Sequence, residues 1–309
     1  MRQRIQALDG LRFLAAIGVL WIHAWTFCGN PRCYIAGIDF ASILAIGGNG
    51  VDLFFVISGF CMYYFYASKS NFSYHDFYRF IVKRWVRLSP AFYTAVVVFI
   101  LIGVFIYHSS FRYESLVVGI FYLNTIFPQY SVASHFWTLS VEWQFYIIIP
   151  FLLIYQSRIG FKKAFIYIFG SIFIIAIGCV FVFKSGCEVL TGNIIFRGAE
   201  FGCGVIAAKL FIAGRPPLRN KVLFFILFLG ITYIGRIMIS KPVLSLSVDY
   251  YNIFKVFGFT LSASGFAGVL YMALTSVKWF NLILGNPLCR SMGRISYRFY
   301  LWHPLVLSF

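Results

Sequence analysis

Ala164–Phe183 reads AFIYIFGSIFIIAIGCVFVF and contains no Asp, Glu, Lys, Arg or His. A helix rises about 1.5 Å per residue, so a helix of this length covers the roughly 30 Å of hydrocarbon in a bilayer. Ala91–Tyr107 and Val222–Ile239 are runs of the same kind. In lipid the backbone must satisfy its own hydrogen bonds, which leaves helices or a closed barrel. Barrel strands are short and alternate in polarity, whereas these runs are long and continuous. The expected fold is all-α: a polytopic transmembrane helical bundle.

Composition agrees. The 309 residues are 61% hydrophobic with a mean hydropathy of +0.85, more apolar surface than a soluble domain of this length can bury. The net charge of +17 invites a nucleic-acid reading, but the basic residues recur in short clusters between apolar runs and form no single patch. With the amino end in the cytoplasm, Arg84, Arg87, Lys162, Lys163, Arg215, Arg219 and Lys221 all fall inside. Only Arg32, Arg112, Lys184, Arg197, Arg236, Lys241 and Lys255 fall outside or near outer helix ends. This is the positive-inside bias, and no nucleic-acid partner is expected. The seven cysteines form no C-x-x-C pair and read mainly as small packing residues, although Cys28 and Cys33 share an outer loop where a disulfide could form. The amino end, Met1–Arg4 and the apolar run after it, reads as an uncleaved first span rather than a signal peptide.

Threaded in order, the chain gives about nine spans. They begin with 11–27, 50–66 and 91–107, the last entered from an amphipathic surface segment over 68–90. Ser115–Phe127 is too short to cross and is expected to be a half-helix or re-entrant piece. Spans at 136–155, 164–183, 194–212, 222–239 and 253–274 follow, with a final run from Ile295. The final run then heads outward, one span short of ten, within a single membrane domain over 1–309.

Ionisable residues inside spans are expensive and mark function. Arg12 and His23 lie about 16 Å apart along the first helix and within about 20° of the same azimuth, so they share a face. They read either as a snorkelling Arg with an interfacial His or as an intramembrane functional pair. Asp52 opens the second span at a depth similar to that of His23. It suits an N-cap and equally a carboxylate orienting the imidazole. Glu142, among Phe136–Tyr146, is flanked by apolar and aromatic residues and should face the bundle interior. Arg84 and Arg87 share a helical face and could grip phosphates, or could simply serve topology. Glu142 or Asp52 is expected within hydrogen-bond reach of His23, directly or through one water.

Five ordered segments carry a resemblance: Leu8–Arg12 through His23, Gly50–Phe60, Arg84–Arg87 followed by Pro90, Phe136–Tyr146, and Ile295–Pro304. Together they resemble the acyltransferase-3 family of integral-membrane acyltransferases, although Trp143 stands where that family often has a second acidic residue. The resemblance implies transfer of an acyl group, most often acetyl, from cytoplasmic acyl-CoA to a hydroxyl of an extracytoplasmic or lipid-linked glycan. It implies a bacterial inner-membrane location with no permanently bound cofactor and no metal. It also implies Arg12 and His23 as a functional pair and Arg84 and Arg87 near the donor. Combined with the residue reading, His23 is the expected general base, with Asp52 and Glu142 as catalytic carboxylates and Arg12, Arg84 and Arg87 as acyl-CoA ligands. A lipid-linked-sugar transporter or flippase is the rival reading, weakened by the lack of repeated halves. A lipid-phosphate-dependent glycosyltransferase is a third, disfavoured because it usually needs an outer acidic metal site, and Asp39, Asp52 and Asp249 do not form one by spacing.

Overall fold

The computed structural model describes residues 5–32, 34–35, 38–39, 48–69, 72–183, 191–214, 220–239, 248–275 and 277–308. Met1–Arg4, Cys33, Gly47, Lys184, Arg215, Arg219 and Lys241 lie outside the described residues, as do the side chains of Asp39 and Asp249. The fold is helical, as expected. The helices in chain order are α1 (Gln6–Phe27), α2 (Gly50–Tyr66), α3 (Tyr74–Phe105), α4 (Tyr113–Ile120), α5 (Trp137–Ile159) and α6 (Phe161–Phe183). They continue with α7 (Ile194–Ile212), α8 (Lys221–Ile239), α9 (Val248–Thr275), α10 (Val277–Leu284) and α11 (Pro287–Ser308). A two-residue antiparallel pair, Tyr34–Ile35 with Ile38–Asp39, lies between α1 and α2.

Among the described residues, six helices are long and apolar enough to cross a membrane: α1, α3, α5, α6, α8 and part of α9. The protein is an integral membrane protein. The expected nine spans exceed this count for identifiable reasons. Helix α2 is only 17 residues long. Helix α7 carries Arg197, Glu200 and Lys209, and α11 carries Arg290, Arg294 and Arg298. Boundaries differ too. The surface segment and the third span form one 32-residue helix, α3, opened by a capping box in which Ser73 and Asp76 satisfy each other's backbone N–H. Pro90 lies inside it. The last helix begins at Pro287 rather than near Ile295, and α10 is a short helix with no counterpart in the expected threading.

Two compact units divide the chain. The first comprises Met1–Phe65, Glu200–Ser245 and Phe257–Phe309. Its helices meet through glycine. A Cβ at Gly59 of α2 would collide with the Phe201 carbonyl of α7, and one at Gly204 of α7 with the Val56 carbonyl of α2. This mutual indentation lets the two backbones touch, the small-residue packing that membrane helices use where lipid supplies no hydrophobic drive. Phe55 stacks on Phe201 beside it, with ring centroids 4.7 Å apart.

The second unit comprises Tyr66–Ala199 and Leu246–Val256. Its short α4 replaces a full crossing, as the sequence suggested for Ser115–Phe127, and the irregular chain after it is held by side chains. Tyr122 donates to Ser89 (2.9 Å), Asn124 to Ser140 (3.0 Å) and Gln144 to Thr125 (2.9 Å), while Gln144 also accepts from the Ile194 N–H (2.9 Å). Such partners are what allow non-helical backbone within an apolar environment.

Gly59→Leu should lower unfolding stability in detergent by about 1–3 kcal/mol, the usual cost of overpacking a close contact. Gly230→Leu, whose Cβ would meet nothing within 4 Å, should leave it unchanged. Thermal melts of the two purified variants check this.

Candidate active site

In the first unit, α1 and α11 run in parallel. Gly293 of α11 lies against the Asp9 backbone near the start of α1, and His303 of α11 meets His23 near its end. His303 is buried and His23 half-buried. His303 Nε2 is 2.7 Å from His23 Nδ1, with ring centroids 4.7 Å apart and planes inclined by 25°. An N···N contact this short between nearly coplanar rings is an edge-to-edge hydrogen bond, not face-to-face packing.

The backbone decides which way that bond points. His303 Nδ1 is 2.6 Å from the Tyr300 carbonyl oxygen, which can only accept, so Nδ1 carries the proton. In the neutral imidazole Nε2 then has a lone pair and must be the acceptor. His23 Nδ1–H donates to it, and His23 Nε2 is left as the basic atom. Local sequence explains why the Tyr300 carbonyl is available. Its ordinary helical donor would be the N–H of residue 304, which is Pro304 and has none.

Arg12 is not left to snorkel. Its Nη1 lies 3.4 Å from Asp9, one turn back, and its Nη2 donates to Cys61 Sγ of α2 at 3.2 Å. Asp52 is buried in the first turn of α2, inside the helix rather than at its cap, and accepts from Ser262 Oγ of α9 at 3.2 Å. The structure therefore gives His303 as a hydrogen-bond partner of His23, beside the Val19 backbone one turn back, and Ser262 as a partner of Asp52.

Glu142 and Arg84 belong to the second unit. Glu142 is half-buried on α5 and accepts from the Tyr146 hydroxyl one turn on. Arg84 of α3 sits among three rings, its guanidinium carbon 5.4 Å from the Phe80 centroid, 5.8 Å from Tyr146 and 5.9 Å from Tyr66. Nη2 donates to the Tyr66 hydroxyl at 3.4 Å. A guanidinium held by ring faces keeps its charge with few of its donors used, and its Nε is buried without a partner. Arg87 is exposed.

His303 is the residue to which sequence reasoning gave no role. The signal was present in the Ile295–Pro304 segment, because a His directly before a helical Pro can bond the carbonyl that the Pro vacates. Its partner across 280 residues could not be read from spacing.

Among sequence families, the chain matches the acyltransferase-3 model, described as an acyltransferase domain, over residues 5–309. It is 27% identical to a protein of Staphylococcus aureus (strain COL) provisionally named an O-acetyltransferase, over 99% of this chain and 51% of that protein. It is 31% identical to the peptidoglycan O-acetyltransferase of Listeria monocytogenes, over 52% of this chain and 26% of that protein. A protein of Acidianus two-tailed virus provisionally named an acetyltransferase is 24% identical over 96% of this chain and 81% of its own length. The chain spans about half the length of the staphylococcal relatives it matches. No solved structure matches it.

The proton assignment is directly measurable. In protein labelled with ¹⁵N-histidine near pH 8, where imidazole is neutral, His23 should be protonated at Nδ1 and bare at Nε2. His303→Phe should weaken that preference, leaving only the Val19 backbone to bias it, as read from the ring nitrogen shifts.

Proposed function

Since the chain belongs to the acyltransferase-3 family, we propose that it is a membrane O-acetyltransferase that moves an acetyl group from cytoplasmic acetyl-CoA to a hydroxyl of an extracytoplasmic or lipid-linked glycan. The names of its relatives favour acetyl and, in the Listeria protein, peptidoglycan as acceptor. The proposed location is a bacterial inner membrane with the amino end in the cytoplasm.

The observation that carries the mechanism is the His23–His303 pair. His23 is the general base. Its Nε2, made the basic nitrogen by the bond that Nδ1–H gives to His303, takes the proton of the acceptor hydroxyl as that oxygen attacks the thioester carbonyl. The tetrahedral adduct then collapses with loss of the coenzyme A thiolate, and the proton held on His23 can pass to that sulfur. His303 orients the base through a neutral hydrogen bond, the role an Asp plays in a Ser-His-Asp triad. Asp52 and Glu142 remain proposed catalytic carboxylates. Asp52 fixes Ser262, and Glu142 fixes the Tyr146 ring that also faces Arg84. Arg12, Arg84 and Arg87 are the proposed donor ligands, because guanidinium groups bind phosphates in bidentate fashion.

His23→Gln keeps size and polarity but removes basicity. It should lower kcat by about 10²–10⁴-fold, measured as transfer of labelled acetyl in membranes at normal expression. Retention of more than about a tenth of the wild-type kcat would reduce His23 to a positioning residue. Arg84→Ala should raise KM for acetyl-CoA about tenfold or more, the scale of one lost charge-assisted bond, with a much smaller effect on KM for the acceptor. Steady-state kinetics with each substrate varied in turn checks the split.

A further inference from the structure

A cavity of about 330 Å³ opens where α1 and α11 both begin, lined by Gln6, Asp9, Pro287, Arg290 and Arg294. All five belong to the first unit. We propose that this cavity binds the phosphate groups of the acyl donor, with Arg290 and Arg294 as their ligands. The proposal rests on the acetyl-CoA reading above and adds a site outside Arg12, Arg84 and Arg87.

The charge arrangement is the first argument. Arg290 and Arg294 are four residues apart and share one face of α11, where like charges repel. Arg290 also sits in the first turn of the helix, the end where the dipole disfavours cations and favours anions. A pair set against both effects is stabilised when an anion lies between the two guanidinium groups and the helix start. Neither has an ion-pair partner among the described residues, and Arg290 Nε is buried without a hydrogen-bond acceptor. The one acidic residue in the lining, Asp9, has its charge offset by Arg12.

Length is the second argument. Because α1 and α11 are parallel, the cavity lies at one end of the pair and the His23–His303 bond toward the other. From Arg290 to His303 the helix rises about 20 Å at 1.5 Å per residue. The pantetheine arm between the diphosphate and the sulfur of coenzyme A is a peptide-like chain of about five residue-lengths, roughly 17 Å when extended. With phosphates on Arg290 and Arg294, whose side chains supply the remaining few ångströms, the thioester falls level with the His23 imidazole.

The test is binding of coenzyme A, without acceptor, to the full chain in nanodiscs of zwitterionic lipid. Arg290→Gln and Arg294→Gln should each weaken binding about tenfold, the effect of one lost charge-assisted hydrogen bond. Arg298→Gln, one turn further along α11 and outside the cavity lining, should change it less than about twofold, within ordinary surface effects. Binding of S-acetylpantetheine, which lacks the phosphates, should be unaffected in both cavity variants. Unchanged coenzyme A affinity in both variants would overturn the site, as would an equal loss for acetylpantetheine. Anionic lipid supplies the other phosphate source. If the cavity variants alter affinity only in discs containing phosphatidylglycerol, the occupant is a lipid headgroup and the proposal is wrong. Absence of coenzyme A binding by the wild-type chain would instead sink the donor reading itself. Arg294 is exposed, so loss of folding is not expected for its variant.

Discussion

Close parallel contact between α1 and α11 is the constraint on which the rest of the candidate chemistry depends. Glycine makes it possible: a Cβ at Gly293 would strike the Asp9 carbonyl, and one at Gly10 the Leu284 carbonyl of α10. With backbones that near, the side chains further along the two helices meet at hydrogen-bond distance, which brings His23 and His303 together. The same contact gathers the beginnings of the two helices, so Asp9, Arg290 and Arg294 share one cavity. A larger residue at Gly293 would push α1 and α11 apart and disturb both features at once, because close-packed interiors transmit strain.

Apolar surroundings explain why the polar side chains pair as they do. Leaving a charge or a hydrogen-bonding group unpartnered away from water costs several kcal/mol. Arg12 lies against Asp9, Asp52 accepts from Ser262, Glu142 accepts from Tyr146, and His303 uses both ring nitrogens. Each pairing also fixes an orientation. For His303 the fixed orientation carries chemical information, because a backbone carbonyl cannot donate and therefore sets the tautomer of both imidazoles.

Much of the helical framework was legible in the chain. Ala164–Phe183 and Val222–Ile239 match α6 and α8 closely, because uninterrupted apolar runs have no stable alternative in lipid. The reading of Ser115–Phe127 as too short to cross agrees with an eight-residue α4 followed by irregular chain held by Tyr122, Asn124 and Gln144. It was less successful where helices carry charge. The last run reads as starting near Ile295, yet the helix starts at Pro287, a residue suited to the first helical position, and its first turns carry Arg290 and Arg294, which interrupt the apolar pattern.

By itself the sequence determined a helical membrane protein with Arg12 and His23 on one face of its first helix and a family signature along its length, since periodicity and apolar length are local properties. Only the tertiary structure decided the partners. That His23 would bond His303, that Asp52 would bond Ser262, and that Arg290 and Arg294 would line a cavity with Asp9 are consequences of which helices touch and in which direction. Residues 280 positions apart leave no trace of that in spacing. The glycines that permit such contacts are visible in the sequence, but the backbone each one admits is chosen by the packing of the whole bundle.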